Sequence, residues 1–210
     1  MRQSRRSSVQ DAAAKVWTSL IAPAFSLLIQ RVFEAGVEKD CVGCKFGSRE
    51  GLPPTSDLPG NADDRVRGMG ILPSRIVVVG QSLGDAPAAF VTSHRRCAGT
   101  VLISGFTSVP EAISDRFSWL PVKYLPWPVN RFDVWGYLRQ SKAPVIIVAS
   151  AGDELVPIAN SRRLNSRLGP RATFLEVNDA PHNGLLLRVA GGERLLIAMN
   201  ALFHPSVPHS

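Results

Sequence analysis

Cysteine is scarce in this chain, and what there is does not pair off. Cys41, Cys44 and Cys97 are the only three in 210 residues, an odd number that argues against a secreted disulfide framework. Cys41-Val42-Gly43-Cys44 makes one C-x-x-C, but a zinc site needs a second ligand pair at similar spacing, and none exists. Two reduced cysteines in or near a strand is the preferred reading, with a redox pair as the alternative. Long apolar runs are missing too. The best candidate, Val16 to Ile29, has 14 residues, contains Pro23 and runs straight into Gln30-Arg31. A spanning helix needs about 20 apolar residues, so a buried helix is expected there, with a membrane anchor as the alternative.

Positive charge is in excess, yet it is not organised. Lys and Arg total 24 against 17 Asp and Glu, a formal net charge of +7. Arg2, Arg5 and Arg6 supply part of it, and Arg95-Arg96 and Arg162-Arg163 are the other doublets. No basic stripe interleaved with aromatics is present, which argues against nucleic acid as a partner. A basic surface suits an anionic membrane surface or an anionic substrate. No internal repeat is found.

What remains is ordinary for a globular protein: 45% hydrophobic and 20% charged residues, enough chain for one substantial core. Residues 1–15 read as a flexible basic tail, 16–203 as one domain, and 204–210 as a C-terminal tail. Phe25, Leu28, Ile29, Val32 and Phe33 follow helical spacing, and Gly36 is a plausible stop. Val37 to Cys44 suits a short strand, residues 46–63 a loop, and 61–69 a short helix. From there strands are expected at Arg75–Val79, Thr100–Ile103, Val145–Ala149 and Ala172–Val177. Helices are expected at Leu83–Ser93, 134–141, 158–167 and 193–202. Such alternation implies an α/β fold, a mostly parallel sheet with helices on both faces. Residues 106–133 interrupt it. Trp119, Pro121, Tyr124, Pro126, Trp127 and Pro128 crowd that stretch, which reads as an irregular lid or packed excursion.

The stretch that carries chemistry is Val77-Val78-Val79-Gly80-Gln81-Ser82-Leu83-Gly84. A β-branched run ends in Gly-x-Ser-x-Gly, and a helix-compatible segment follows. This is a nucleophile elbow in its expected context of strand, sharp turn and helix. The turn pushes the serine hydroxyl out at the strand's end, and the Leu83 N–H points where an oxyanion would form. A serine needs a base, and the base needs a carboxylate to orient it. Asp153, just after the third expected strand, is the acid candidate. Glu154 beside it is expected to point elsewhere. His182, five residues after the fourth strand, is the base candidate. Of the other three histidines, His94 is expected at the far end of the elbow helix, and His204 and His209 lie in the tail. Serine, acid and histidine thus come in the order expected of this architecture, at one sheet edge. The spacing predicts acyl transfer from a small-molecule or acyl substrate, with no metal and no organic cofactor implied.

These motifs resemble the α/β-hydrolase superfamily. They are most similar to its small-lid serine hydrolases, among them abhydrolase-domain thioesterases and monoacylglycerol-lipase-like enzymes. The resemblance rests on residues 75–84, on Phe106-Thr107-Ser108, on Asn130-Arg131-Phe132-Asp133, on Gly152-Asp153-Glu154-Leu155-Val156-Pro157 and on His182-Asn183. Phe46-Gly47-Ser48-Arg49-Glu50-Gly51 looks like a diverged copy of the loop preceding the elbow region. The resemblance implies the α/β-hydrolase fold, a Ser82-His182-Asp153 triad and esterase or thioesterase activity. It places Ala24–Gly36 at the first helix of the fold, with early strands missing, as in an N-terminally truncated relative. No His-Gly dipeptide, which usually supplies the second oxyanion N–H, occurs anywhere in the chain. Missing strands would leave a sheet edge and apolar surface uncovered. Asp85 stands where a small residue usually follows the elbow. A carboxylate that close to a nascent oxyanion is unfavourable unless it turns outward or caps the helix N-terminus. Two readings follow: an active serine hydrolase, and a truncated, catalytically impaired relative acting as a binding or interaction protein. A cytoplasmic location is expected, with membrane association through Val16–Ile29 as the alternative.

Overall fold

The computed structural model describes residues 67–68, 70–119, 121–122, 132–182, 184–185 and 193–203. The expectations for 1–15, Val16–Ile29, Ala24–Gly36, Val37–Cys44, 46–63 and 204–210 lie outside these residues. So do Tyr124, Pro126, Trp127, Pro128, Asn130, Arg131 and Asn183. Of the expected helix at 61–69, residues 67 and 68 are described and are helical.

Among the described residues, four strands form one sheet: β1 (Val77–Gln81), β2 (Gly99–Ile103), β3 (Val145–Ser150) and β4 (Ala172–Val177). Their order is β1-β2-β3-β4, and every pairing is parallel. Val79 pairs with Val101, Val101 with Ile146, and Ile146 with Thr173. Parallel strands are buried on both faces, and this explains the unbroken apolar runs. Every residue of β2 and β3 is buried. Strand β4 is only partly buried, and Glu176 on it meets Arg162 at 3.0 Å. A charged pair there suits an edge strand.

Alternation of side chains splits the core in two. Val78, Leu102, Val145 and Ile147 face one way, against α1 (Asp85–His94), α3 (Val134–Leu138) and α4 (Ile158–Leu168). Val77, Val79, Val101, Ile103, Ile146 and Val148 face the other way, against Leu195, Met199 and Leu202 of α5 (Glu193–Phe203). Because the strand order advances in one direction, right-handed crossovers place α1, α3 and α4 on the same face. The apolar side chains of β1 do not lie bare: four of its five residues are buried beneath α1 and α5. Each large aliphatic side chain buried in this way is worth about 1.5–3 kcal/mol.

Part of the stretch 106–133 is helical. Residues Val109–Arg116 form a helix, α2, with Pro110 in its first turn. Proline is tolerated there because the first helical N–H groups have no intrahelical acceptor. Ser108 caps it, accepting the Glu111 N–H at 3.4 Å. Helix α2 is tied to α4 by ion pairs from Arg163 to Asp115 (2.9 Å) and from Arg167 to Glu111 (3.1 Å). Among the described residues, no helix is long and apolar enough to cross a membrane.

Candidate active site

The site lies where the carboxyl ends of β1, β3 and β4 meet. Strand β1 runs two residues beyond the expected Val79, to Gln81, and a 3₁₀ turn (Ser82–Gly84) joins it to α1. Ser82 sits in the left-handed region at φ 54°. For a residue with a Cβ this costs about 1–2 kcal/mol, and it lifts the hydroxyl out of the turn. Gly80 is what lets the turn close so tightly. A Cβ there would come within 2.7 Å of both the Asp85 Cα and the Gly84 carbonyl oxygen. Leu83 follows Ser82 in the same turn, at the positive end of the α1 dipole.

The serine, acid and histidine candidates are brought together. The Ser82 Oγ lies 3.0 Å from His182 Nε2, across 100 positions of sequence. On the other side of the ring, His182 Nδ1 lies 2.9 Å from Asp153 Oδ2 and 3.0 Å from Oδ1. His182 and Asp153 are both buried. Asp153 Oδ1 also accepts the N–H groups of Leu155 (2.9 Å) and Val156 (2.8 Å). Burial pushes the Asp153 carboxyl up, but the His182 hydrogen bond, the Val156 N–H and the Ser104 hydroxyl together hold it below its ordinary value. The Ser104 hydroxyl faces that carboxylate from outside hydrogen-bond geometry.

Two further residues position the triad. Ser150, the last residue of β3, accepts the N–H groups of Gly152 (3.1 Å) and Ala180 (2.9 Å), and so ties the acid loop to the base loop. Its signal was a polar residue closing an apolar strand. Glu154, set beside the acid, makes its hydrogen bond to the main chain of the base: its carboxylate accepts the His182 backbone N–H at 3.0 Å. That hydrogen bond holds the Glu154 carboxyl below its ordinary value. Ser104, just past β2, is buried and has φ 60°. Asp179, in the base loop, has φ 48°. Left-handed residues thus follow three of the four strands, all on the side of the sheet where the site lies. The end of α2 also reaches this edge, where Arg116 Nε donates to the Glu154 carbonyl oxygen at 3.1 Å.

His94 stands where expected, at the far end of α1, stacked on Phe90. Asp85 is fully buried, so it does not turn outward, and helix α1 has no side-chain cap. Among the described residues, no group of three or more His, Cys, Asp or Glu could hold a metal ion.

No family model matches the chain. An uncharacterised protein of Mycobacterium tuberculosis is 29% identical over 142 residues, which cover 66% of this chain and 50% of that protein. The chain therefore spans about half the length of the curated relatives it matches. Among solved structures, a puromycin-hydrolysing peptidase of Mycobacterium tuberculosis superposes with a TM-score of 0.51 at 17% identity, over 71% of this chain and 25% of that one. An α/β hydrolase from Vibrio vulnificus gives 0.50 at 18%, over 64% and 55%. An acylaminoacyl peptidase of Pyrococcus horikoshii gives 0.50 at 13%, over 71% and 27%. At such identities the likeness speaks to the fold, and the fold is that of the α/β hydrolases.

Proposed function

We propose that this chain is a serine hydrolase that cleaves a carboxylic ester or thioester through an acyl-enzyme. The observation that carries this reading is the unbroken chain of contacts from Ser82 Oγ through both ring nitrogens of His182 to Asp153. Ser82 Oγ attacks the substrate carbonyl carbon while its proton passes to His182 Nε2. The tetrahedral oxygen receives the Leu83 N–H at the head of α1. As the intermediate collapses, His182 gives its proton to the leaving alcohol or thiol, and the acyl group stays on Ser82. Water then repeats the sequence and frees the acid. Asp153 accepts the Nδ1–H throughout, which fixes the tautomer and stabilises the imidazolium. The lowered pKa of Asp153 suits that task, since the residue must remain a carboxylate.

Motif resemblance over residues 70–190 supports the small-lid branch and a small-molecule or acyl substrate. Peptidases among the structural neighbours put amide substrates on the test panel beside esters and thioesters. The second reading, a catalytically impaired relative that binds rather than cleaves, draws on the lack of a His-Gly dipeptide. Loss of one oxyanion donor costs about 10²–10³ in rate.

A fluorophosphonate probe separates the two. Labelling of the purified chain that disappears in Ser82→Ala and His182→Ala is the expected result. A folded chain that takes up no probe would move the weight to the binding protein.

A further inference from the structure

Among the described residues, Asp85 is the one buried acid that the catalytic scheme leaves unused. It is the first residue of α1, three positions after Ser82, and it is 0% exposed. Neither carboxyl oxygen has a hydrogen-bond partner, although the Ile103 N–H faces the group from outside hydrogen-bond geometry. Its side chain fills the space that Gly80 leaves: a Cβ on Gly80 would come within 2.8 Å of Asp85 Oδ1. The carboxyl is therefore wedged beneath the elbow, between the helix and β1.

Among the described residues, no counter-charge is offered to it. Helix α1 packs on β1, β2, the elbow turn and α3. Strands β1 and β2 carry no ionisable side chain, and α3 carries only Tyr137. On α1 itself the other titratable group is His94, at the opposite end, with Cys97 beyond it. Asp133 caps α3 and is committed to the Gly136 N–H. His182 and Asp153 stand across the Ser82 hydroxyl and are paired with each other. A carboxylate without a cation, taken out of water, protonates rather than remain charged. Burial accordingly drives the Asp85 carboxyl well above its ordinary value.

We propose that Asp85 is a positioning residue that supports the nucleophile elbow as a neutral carboxylic acid, keeping negative charge away from the site of the oxyanion. This role rests on the serine-hydrolase reading above; the neutral state rests on the geometry alone. A neutral acid fills the cleft beside Gly80 and leaves the Leu83 N–H and the α1 dipole free to act on the oxyanion. An ionised Asp85 would oppose both from directly below.

The test has two arms, both on the full chain. The first is a carboxyl ¹³C NMR titration from about pH 4 to pH 9, spanning the ordinary aspartate value of about 3.9 and the range above it. The Asp85 signal is assigned by its loss in Asp85→Asn, or in Asp85→Ser where the asparagine variant does not fold. Asp85 is expected to remain protonated at neutral pH, and finding it ionised there overturns the proposal. The second arm follows the rate of fluorophosphonate labelling against pH. The parent rate is expected to fall over the range in which NMR shows Asp85 ionising, and Asp85→Asn is expected to lose that fall. A parent rate indifferent to the ionisation, or a tenfold loss of labelling in Asp85→Asn at neutral pH, overturns the positioning role. A protonated Asp85 in a chain that takes up no probe means that the hydrolase reading has failed while the neutral acid stands. An ionised Asp85 in a labelled chain means the reverse.

Discussion

Glu154 accepts the backbone N–H of His182 at 3.0 Å, so the residue beside the acid fixes the loop of the base. Asp153 and Glu154 thus divide one task between two adjacent carboxylates. One grips the imidazole and the other grips the main chain that carries it. Replacing Glu154 by Ala frees that N–H and lets the imidazole drift from Ser82. Labelling is expected to fall about three- to tenfold, the scale of one ordinary hydrogen bond. Glu154→Gln keeps an acceptor oxygen and is expected to recover most of the rate. Equal losses in both variants would show that charge, rather than the hydrogen bond, is what matters.

Ser150 makes a second prediction. Its hydroxyl accepts two N–H groups, from Gly152 in the acid loop and from Ala180 in the base loop. Ser150→Ala leaves both donors without that acceptor, the Ala180 N–H in a buried place. An unsatisfied buried group costs about 1–3 kcal/mol. Denaturant unfolding should show a loss of that order, accompanied by weaker labelling, because the two loops lose their common anchor. Unchanged stability would mean that water or a neighbouring carbonyl replaces the hydroxyl.

The strands were legible because each is a short apolar run closed by a turn. Val145–Ala149 and Ala172–Val177 were placed to within a residue for that reason, and the elbow followed from Gly80, Ser82 and Gly84 on the end of such a run. Asp153 and His182 were found by chain order. Order carries no distances, and what it could not convey was the wiring between loops. Glu154 was set aside because its neighbour was the better acid, and its bond runs to a backbone N–H that no side-chain pattern marks. Helix α2 was missed because Pro110 reads as a breaker unless the preceding Ser108 is recognised as a cap. The burial of Asp85 was not legible, because a sequence shows that a charge is available but not that burial removes it.

Gly80 offers a test of the elbow's tightness that is independent of the chemistry. An added Cβ would meet the Asp85 Cα and the Gly84 carbonyl, both backbone atoms, at 2.7 Å. Backbone cannot rotate aside as a side chain can, so the turn itself must shift. Overpacking of this kind costs about 1–3 kcal/mol. Gly80→Ala is expected to lower the thermal midpoint and to reduce labelling by moving Ser82 away from His182. A variant with parent-like stability would mean that the turn is looser than its geometry indicates.

Asp153 links the site to the acid stability of the fold, and the sign follows from its lowered pKa. In the unfolded chain it titrates near its ordinary value of about 3.9; in the folded chain it titrates below that. Between the two values the unfolded chain holds more protons, so stability rises with pH across that window. The contribution of Asp153 is complete above the unfolded value. It is lost as the pH falls through the folded one, when the carboxylate that binds His182 and the Val156 N–H is protonated. Asp153→Asn removes this dependence. Denaturant unfolding from about pH 2 to pH 7 should give a shallower acid limb for the variant than for the parent. Asparagine in place of the carboxylate also permits the wrong imidazole tautomer, which is expected to reduce turnover by about 10⁴. Both effects belong to one residue, but they are read by different instruments. A variant with a shallower acid limb and undiminished labelling would leave Asp153 a structural anchor and take it out of the catalytic scheme.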